Sequence, residues 1–290
     1  MECYKFEKLE YKSGFLDDCV DATYIIHLEG NGRLPHIHEQ LRKFQPSRTV
    51  YISVNSGFKK CEKNLPEAIP PHDLIHAFLT VFKDAEQKGY ANILVLEDDF
   101  IFDDAILIKD NTDSICKFIK GRENEAFLYS LGCLPYIQVP ISYRHRAAVV
   151  KGGTHACIYT KSIREQLVRT NIKEMSDWDI YTNHRVKQYM YYIPLCYQLF
   201  PETENSKHWK YFPFLTEMNK WTKGFMNMDT TPVPGFQYYY WFSLIVFFIL
   251  LLIALYVAYF VGKIVVGGRQ SSLRIRRRFG STVYKRRQIS

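Results

Sequence analysis

The chain has 290 residues, 47% of them hydrophobic, and a formal net charge of +8. Arg269, Arg274, Arg276, Arg277, Arg278, Lys285, Arg286 and Arg287 carry that whole excess, so the rest of the chain is close to neutral. Residues 1 to about 225 are therefore expected to form one α/β domain of ordinary size, and no nucleic-acid partner is expected.

The N-terminus, Met1-Glu2-Cys3-Tyr4-Lys5, has no apolar core of the kind a signal peptide needs. Ala22 to Leu28 reads as a strand, broken by Gly30-Asn31-Gly32. Leu34, Ile37, Leu41 and Phe44 recur at helical spacing, with Pro35 near the start and Pro46 closing the helix. Thr49 to Val54 is a second strand, followed by a loop through Pro66, Pro70 and Pro71. Asp73 is placed to cap a helix whose apolar face is Leu74, Ile75, Phe78, Val81, Phe82 and Ala85, with Gly89 as its left-handed stop. A third strand, Asn92 to Leu96, follows. This β-α-β-α-β alternation implies a mainly parallel sheet with helices on its faces.

Further strands are expected at Ala126 to Leu131, at His155 to Tyr159 after a Gly152-Gly153-Thr154 turn, and at Tyr189 to Ile193. Helices are expected from Lys161 to Arg169 and from Asp177-Trp178-Asp179 onward. Thr203 to Pro234 has no clear period and reads as a closing loop and linker, with the linker proper at 226–237.

From Trp241 to Gly262 there is no charge, and the run is long enough to cross a bilayer as a helix. Tyr238, Tyr239, Tyr240 and Trp241 suit a membrane interface. A membrane helix at 238–262 and a basic tail at 263–290 are expected, the tail meeting anionic headgroups or marking the cytosolic side. The seven cysteines are scattered and show no CxxC pair or Cys/His ligand spacing. They read as mostly reduced thiols in a cytosol-facing domain with a single C-terminal anchor. The tail pulls the other way, because the positive-inside rule prefers it in the cytosol.

The chemistry concentrates at Glu97-Asp98-Asp99, three carboxylates at the tip of an apolar strand. Clustered acids repel and are costly to desolvate, and a divalent cation at a strand's carboxyl end removes the conflict. A solvated turn is the plainer alternative. Mn²⁺ or Mg²⁺ suits such oxygen ligands. Asp99 is the expected direct ligand, Glu97 either a second ligand or a ribose contact, and Asp98 a group that turns to a neighbouring partner. Asp177 and Asp179 are candidates for a general base, Asp177 preferred, or else an N-cap pair. His155 either touches a diphosphate or the acceptor, or is a satisfied histidine beside a glycine turn. Arg33 either pairs with phosphate or is an exposed arginine at a helix start. His208 is a candidate late metal ligand.

Four segments in order resemble the family-25 glycosyltransferases, which include lipooligosaccharide and collagen sugar transferases. They are Tyr24-Ile25-Ile26-His27-Leu28 with Gly32-Arg33 and Gln40-Leu41, then Leu96-Glu97-Asp98-Asp99, then Gly153-Thr154-His155-Ala156-Cys157-Ile158-Tyr159 with Lys161, and Asp177-Trp178-Asp179. The resemblance spans roughly residues 20 to 210. It departs at His27, where the family usually has asparagine, and at Ser176 before the later aspartate. It implies a single glycosyltransferase-A-like domain. It further implies metal-dependent, inverting transfer of a sugar from a nucleotide-sugar donor, a UDP-sugar first, to a hydroxyl on a glycan, lipid or protein acceptor. The competing expectation is an inactive transferase-like domain serving as a membrane-tethered binding or scaffold protein. A metal-dependent phosphoryl transferase ranks last, because the chain has no P-loop.

Overall fold

The computed structural model describes residues 3–199 and 221–286, the last part of these (265–286) as backbone only. The chain divides into two compact units, residues 1–244 and 245–290.

The first unit is a three-layer α/β/α domain. Its seven-stranded sheet contains β1 (Tyr4–Glu10), β2 (Ala22–Leu28), β3 (Thr49–Asn55), β4 (Asn92–Glu97), β6 (Phe127–Pro140), β7 (His145–Thr160) and β8 (Lys187–Tyr191). The spatial order is β1-β3-β2-β4-β7-β6-β8. A small second sheet pairs β5 (Phe100–Phe102) with β9 (Cys196–Gln198). The helices are α1 (Leu34–Lys43), α2 (Pro70–Gln87), α3 (Lys109–Lys120), α4 (Lys161–Arg169), α5 (Trp178–Arg185) and α6 (Gly235–Arg286).

The sheet is mixed, which corrects the expectation of a mainly parallel one. β2 pairs in parallel with both β3 and β4, as crossovers through α1 and α2 require. The second half is built differently. β6 and β7 form a long antiparallel hairpin, and β7 then inserts antiparallel against β4. The expected turn at Gly152-Gly153-Thr154 lies inside β7. β1, whose sequence mixes large apolar and charged residues, adds an antiparallel edge beside β3.

β2 and β4 are covered on both faces, so their apolar runs are nearly continuous. One face packs Ile25, Ile52, Leu94 and Leu96 against Ile37 and Leu41 of α1 and Ile115 and Ile119 of α3. The other packs Tyr24, Ile26 and Val95 against Phe78 and Phe82 of α2, Ile163 and Leu167 of α4, and Trp178 of α5. Phe78 and Trp178 stack at 4.5 Å between ring centroids. α2 begins with the Pro70-Pro71 pair, which needs no N–H there, and Gly89 after it takes φ +74°. Asp73 does not cap this helix. Its carboxylate accepts from Asn55 Nδ2 at 3.1 Å and pairs with the buried Lys63.

Four cysteines are disulfide-bonded, Cys3 to Cys61 and Cys19 to Cys116, while Cys133, Cys157 and Cys196 are buried thiols. The expectation of mostly reduced thiols is therefore corrected. The bonded partners are 58 and 97 residues apart, so only the fold brings them together and no spacing rule announces them.

Met228 and Phe236, within the expected linker, are fully buried against Leu134 of β6 and Tyr197 of β9. Gly235–Ile264 of α6 is long and apolar enough to cross a membrane, by length and composition.

Candidate functional site: a carboxylate cluster at the end of β4

β4 runs into the centre of the sheet and stops at Glu97, and the turn through Asp98 and Asp99 leads into β5. The three consecutive acids leave this turn in different directions and meet different partners.

Asp98 is buried and bracketed by donors. His27 Nδ1 at 3.1 Å, Leu28 N at 3.1 Å and Asn31 Nδ2 at 2.6 Å all donate to its Oδ2. Arg33 Nη1 donates to its Oδ1 at 2.7 Å. Burial opposes its charge, but these donors and the Arg33 guanidinium hold its carboxyl below the usual range. The residue ties the Gly30–Arg33 loop, whose Gly30 and Gly32 both take φ +80°, to the end of β4.

Asp99 receives both N–H bonds from the Gln198 amide of β9, each at 3.1 Å. Arg33 Nη1 lies 3.1 Å from its Oδ2, so the one guanidinium spans both aspartates. Burial pushes the Asp99 carboxyl up, against the pull of Arg33.

Glu97 is the last residue of β4. Burial pushes its carboxyl well above the ordinary value, Asp99, Asp179 and Asp98 add to the shift, and the Arg33 charge favours its ionised form. Thr154 Oγ1 of β7 lies 3.5 Å from Glu97 Oε1 and donates to Asp179 Oδ1 at 2.8 Å. The other Asp179 oxygen accepts from Gly153 N at 2.8 Å. Gly153 has φ +82°, a conformation that aims its N–H at the carboxylate and that side chains resist.

The site thus gathers Arg33, Glu97, Asp98, Asp99 and Asp179. Asp177 stands at the N-cap of α5, where its Oδ1 accepts from Ile180 N at 3.0 Å. Burial and the neighbouring Asp179 raise it to about 6. His155 turns away from the acids into the interior. Its Nε2 is 3.3 Å from the Cys196 carbonyl, its Nδ1 is buried without a partner among the described residues, and its ring meets Phe236 edge-on. Burial lowers it to about 4. His208 lies outside the described residues.

Asn31, Thr154 and Gln198 are site residues that sequence reasoning did not single out as such. Asn31 sat inside a loop read only as a break, and Thr154 inside a segment read as a turn. Gln198 carries no local signal, since its place depends on β9 crossing to β5. Gly132 of β6 permits that crossing, because a Cβ there would stand 1.7 Å from the Cys196 carbonyl oxygen.

The donor set fits a hard divalent cation. Two carboxylates, Glu97 and Asp99, face a charge conflict, and Mg²⁺-type ions are commonly held by one or two carboxylates with substrate phosphates completing the shell. Among the described residues, no three His, Cys, Asp or Glu side chains gather closely enough to cage a metal unaided.

No family model matches the chain, and no curated protein matches it. Among solved structures it is similar to A197 from STIV at 14% identity, with a TM-score of 0.36 over 63% of this chain and 86% of that one. It is also similar to a glycosyltransferase involved in the glycosylation of the major capsid of PBCV-1, at 10% identity with a TM-score of 0.37 over 65% of this chain and 96% of that one. Likenesses this distant carry no weight for activity.

Proposed function

We propose that the domain is a metal-dependent glycosyltransferase of the family-25 type, moving a sugar from a nucleotide-sugar donor, first a UDP-sugar, to an acceptor hydroxyl. The observation that supports this best is the half-buried set of Glu97 and Asp99 at the carboxyl end of β4 with Asp179 of α5, and Arg33 as a nearby cation. In open α/β sheets this end is where ligands bind. Carboxylates crowded together against their own repulsion are a functional arrangement more readily than a structural one.

Asp99 and Glu97 would hold Mn²⁺ or Mg²⁺, which when bound supplies charge stabilisation to the departing diphosphate. Arg33 is held by Asp98 in a fixed orientation, so its guanidinium is ready for phosphate without reorganisation. Asp179 is fixed by Gly153 and Thr154 and keeps the Glu97 proton in play. Asp177, with its carboxyl near 6, has the basicity expected of a group that accepts the acceptor's proton in inverting transfer.

The test is a thermal-shift screen of UDP-, GDP- and CMP-sugars with and without Mn²⁺ on the full chain in detergent. One nucleotide class should raise the melting temperature only with metal, and Asp99→Ala should remove the shift while leaving the ligand-free melting temperature within a few degrees. No shift with any nucleotide would favour the second reading, a transferase-like domain that binds without catalysis. The engagement of both Asp99 oxygens by Gln198 and Arg33 is the observation on its side.

A further inference from the structure

The C-terminal end of the first unit is packed as a seat on β6 and β9. In the first turns of α6, Phe236 and Ser243 are fully buried and Tyr240 nearly so. Gln138 of β6 donates to the Tyr240 carbonyl at 2.6 Å and to Ser243 Oγ at 2.7 Å, in a buried setting. Phe236 packs on Tyr197 at 5.3 Å between centroids, and Tyr136 of β6 meets Tyr239 edge-on at 5.9 Å. A helical turn at 221–225 joins this seat through Thr222 Oγ1, 3.1 Å from the Tyr239 hydroxyl.

Large aromatic side chains around this seat face outward. Trp221 and Phe225 are 68% and 76% exposed and stack on each other at 5.6 Å, while Trp241 and Phe242 are 67% and 65% exposed. A soluble surface pays for such exposure unless something covers it. Trp and Tyr are enriched where a protein meets the headgroup layer. Trp241 and Phe242 lie within Gly235–Ile264, the segment able to cross a membrane, and the Thr222–Tyr239 contact brings the turn bearing Trp221 and Phe225 beside the start of that segment.

We infer that Trp221, Phe225, Trp241 and Phe242 form an interfacial collar that seats this domain directly on a lipid bilayer. The occupant of the surface is the headgroup and upper acyl layer. Lys223, between Trp221 and Phe225 on the same turn, is close enough to Asp179 to feel its charge, and burial lowers its ammonium to about 8. β9 carries both Tyr197, under the seat, and Gln198, on Asp99.

The full chain, reconstituted in phosphatidylcholine vesicles brominated near the headgroup end of the acyl chains, tests this by tryptophan quenching. Trp221→Phe and Trp241→Phe should each remove a distinct share of the quenchable fluorescence, with the Trp221 share lost to shallow bromines and spared by bromines near the bilayer centre. Both positions are exposed, so the variants keep the fold, and circular dichroism checks it. Equal fluorescence in brominated and plain vesicles for the Trp221 share overturns the seat. So does Trp221 protection that depends on protein concentration, which would assign the surface to a second copy. Neither outcome touches the transferase reading, which the nucleotide screen decides separately.

Discussion

At the scale of single residues, three adjacent acids have three different fates because the backbone turns between them. Asp98 works as a bracket. Replacing it with alanine would leave Arg33 and His27 facing a hole and release the Gly30–Arg33 loop. Breaking one side of a buried, hydrogen-bonded ion pair costs about 3–5 kcal/mol. The Asp98→Ala protein should therefore unfold at markedly lower urea concentration than the parent, and a change below about 1 kcal/mol would remove the bracket from the account. Asp177 makes a prediction about pH. Its folded value, about 6, lies above the ordinary aspartate value of 3.8. The native state therefore holds a proton that the unfolded chain releases, and the stabilisation is complete below about pH 3.8 and is lost as pH rises through about 6. Asn caps helices as well as Asp does. Asp177→Asn should keep α5 and flatten the fall in stability between pH 4 and 6, measured by chemical denaturation at each pH. An unchanged slope would assign that titration elsewhere.

At the scale of elements, the site is assembled by strands that the chain reaches late. β4 supplies the acids, β7 supplies Gly153 and Thr154, and β9 supplies Gln198. The crossing of β9 depends on Gly132, where the Cys196 carbonyl comes within what would be bonding distance of any Cβ. Gly132→Ala must push β9 away or bend β6. Overpacking of this severity is expected to cost at least about 3 kcal/mol. Hydrogen exchange should locate the loss at β5 and β9, with β2 and β3 still protected. Wild-type protection at β9 in the alanine variant would mean that the close approach matters less than its geometry says.

At the scale of the whole molecule, cysteine pairing and charge point in one direction. Two disulfides belong to an oxidising compartment. The arginine-rich tail belongs by the positive-inside rule on the cytosolic side. A span between them would satisfy both. In sealed vesicles with an oxidising lumen, added protease should trim the tail and leave residues 1–244 protected. Digestion of the domain from outside would reverse the orientation.

The local physics of the chain was enough to determine the β-α-β-α-β half, the acid-tipped strand and the apolar span, because each depends on periodicity, caps or composition within a few residues. β2, β3, β4, α1, α2 and α4 lie close to where their patterns put them. Only the tertiary structure decided that β7 runs antiparallel between β4 and β6, that Cys3 meets Cys61 and Cys19 meets Cys116, and that Gln198 reaches Asp99. It also decided that His155 faces inward and that Met228 and Phe236 pack against the domain. Apart from the tip of the β6–β7 hairpin, these contacts join residues tens of positions apart, ninety-nine in the case of Asp99 and Gln198. Most of them depend on which strand lies beside which, a choice made by burying two faces of one sheet at once, and no local pattern carries that information.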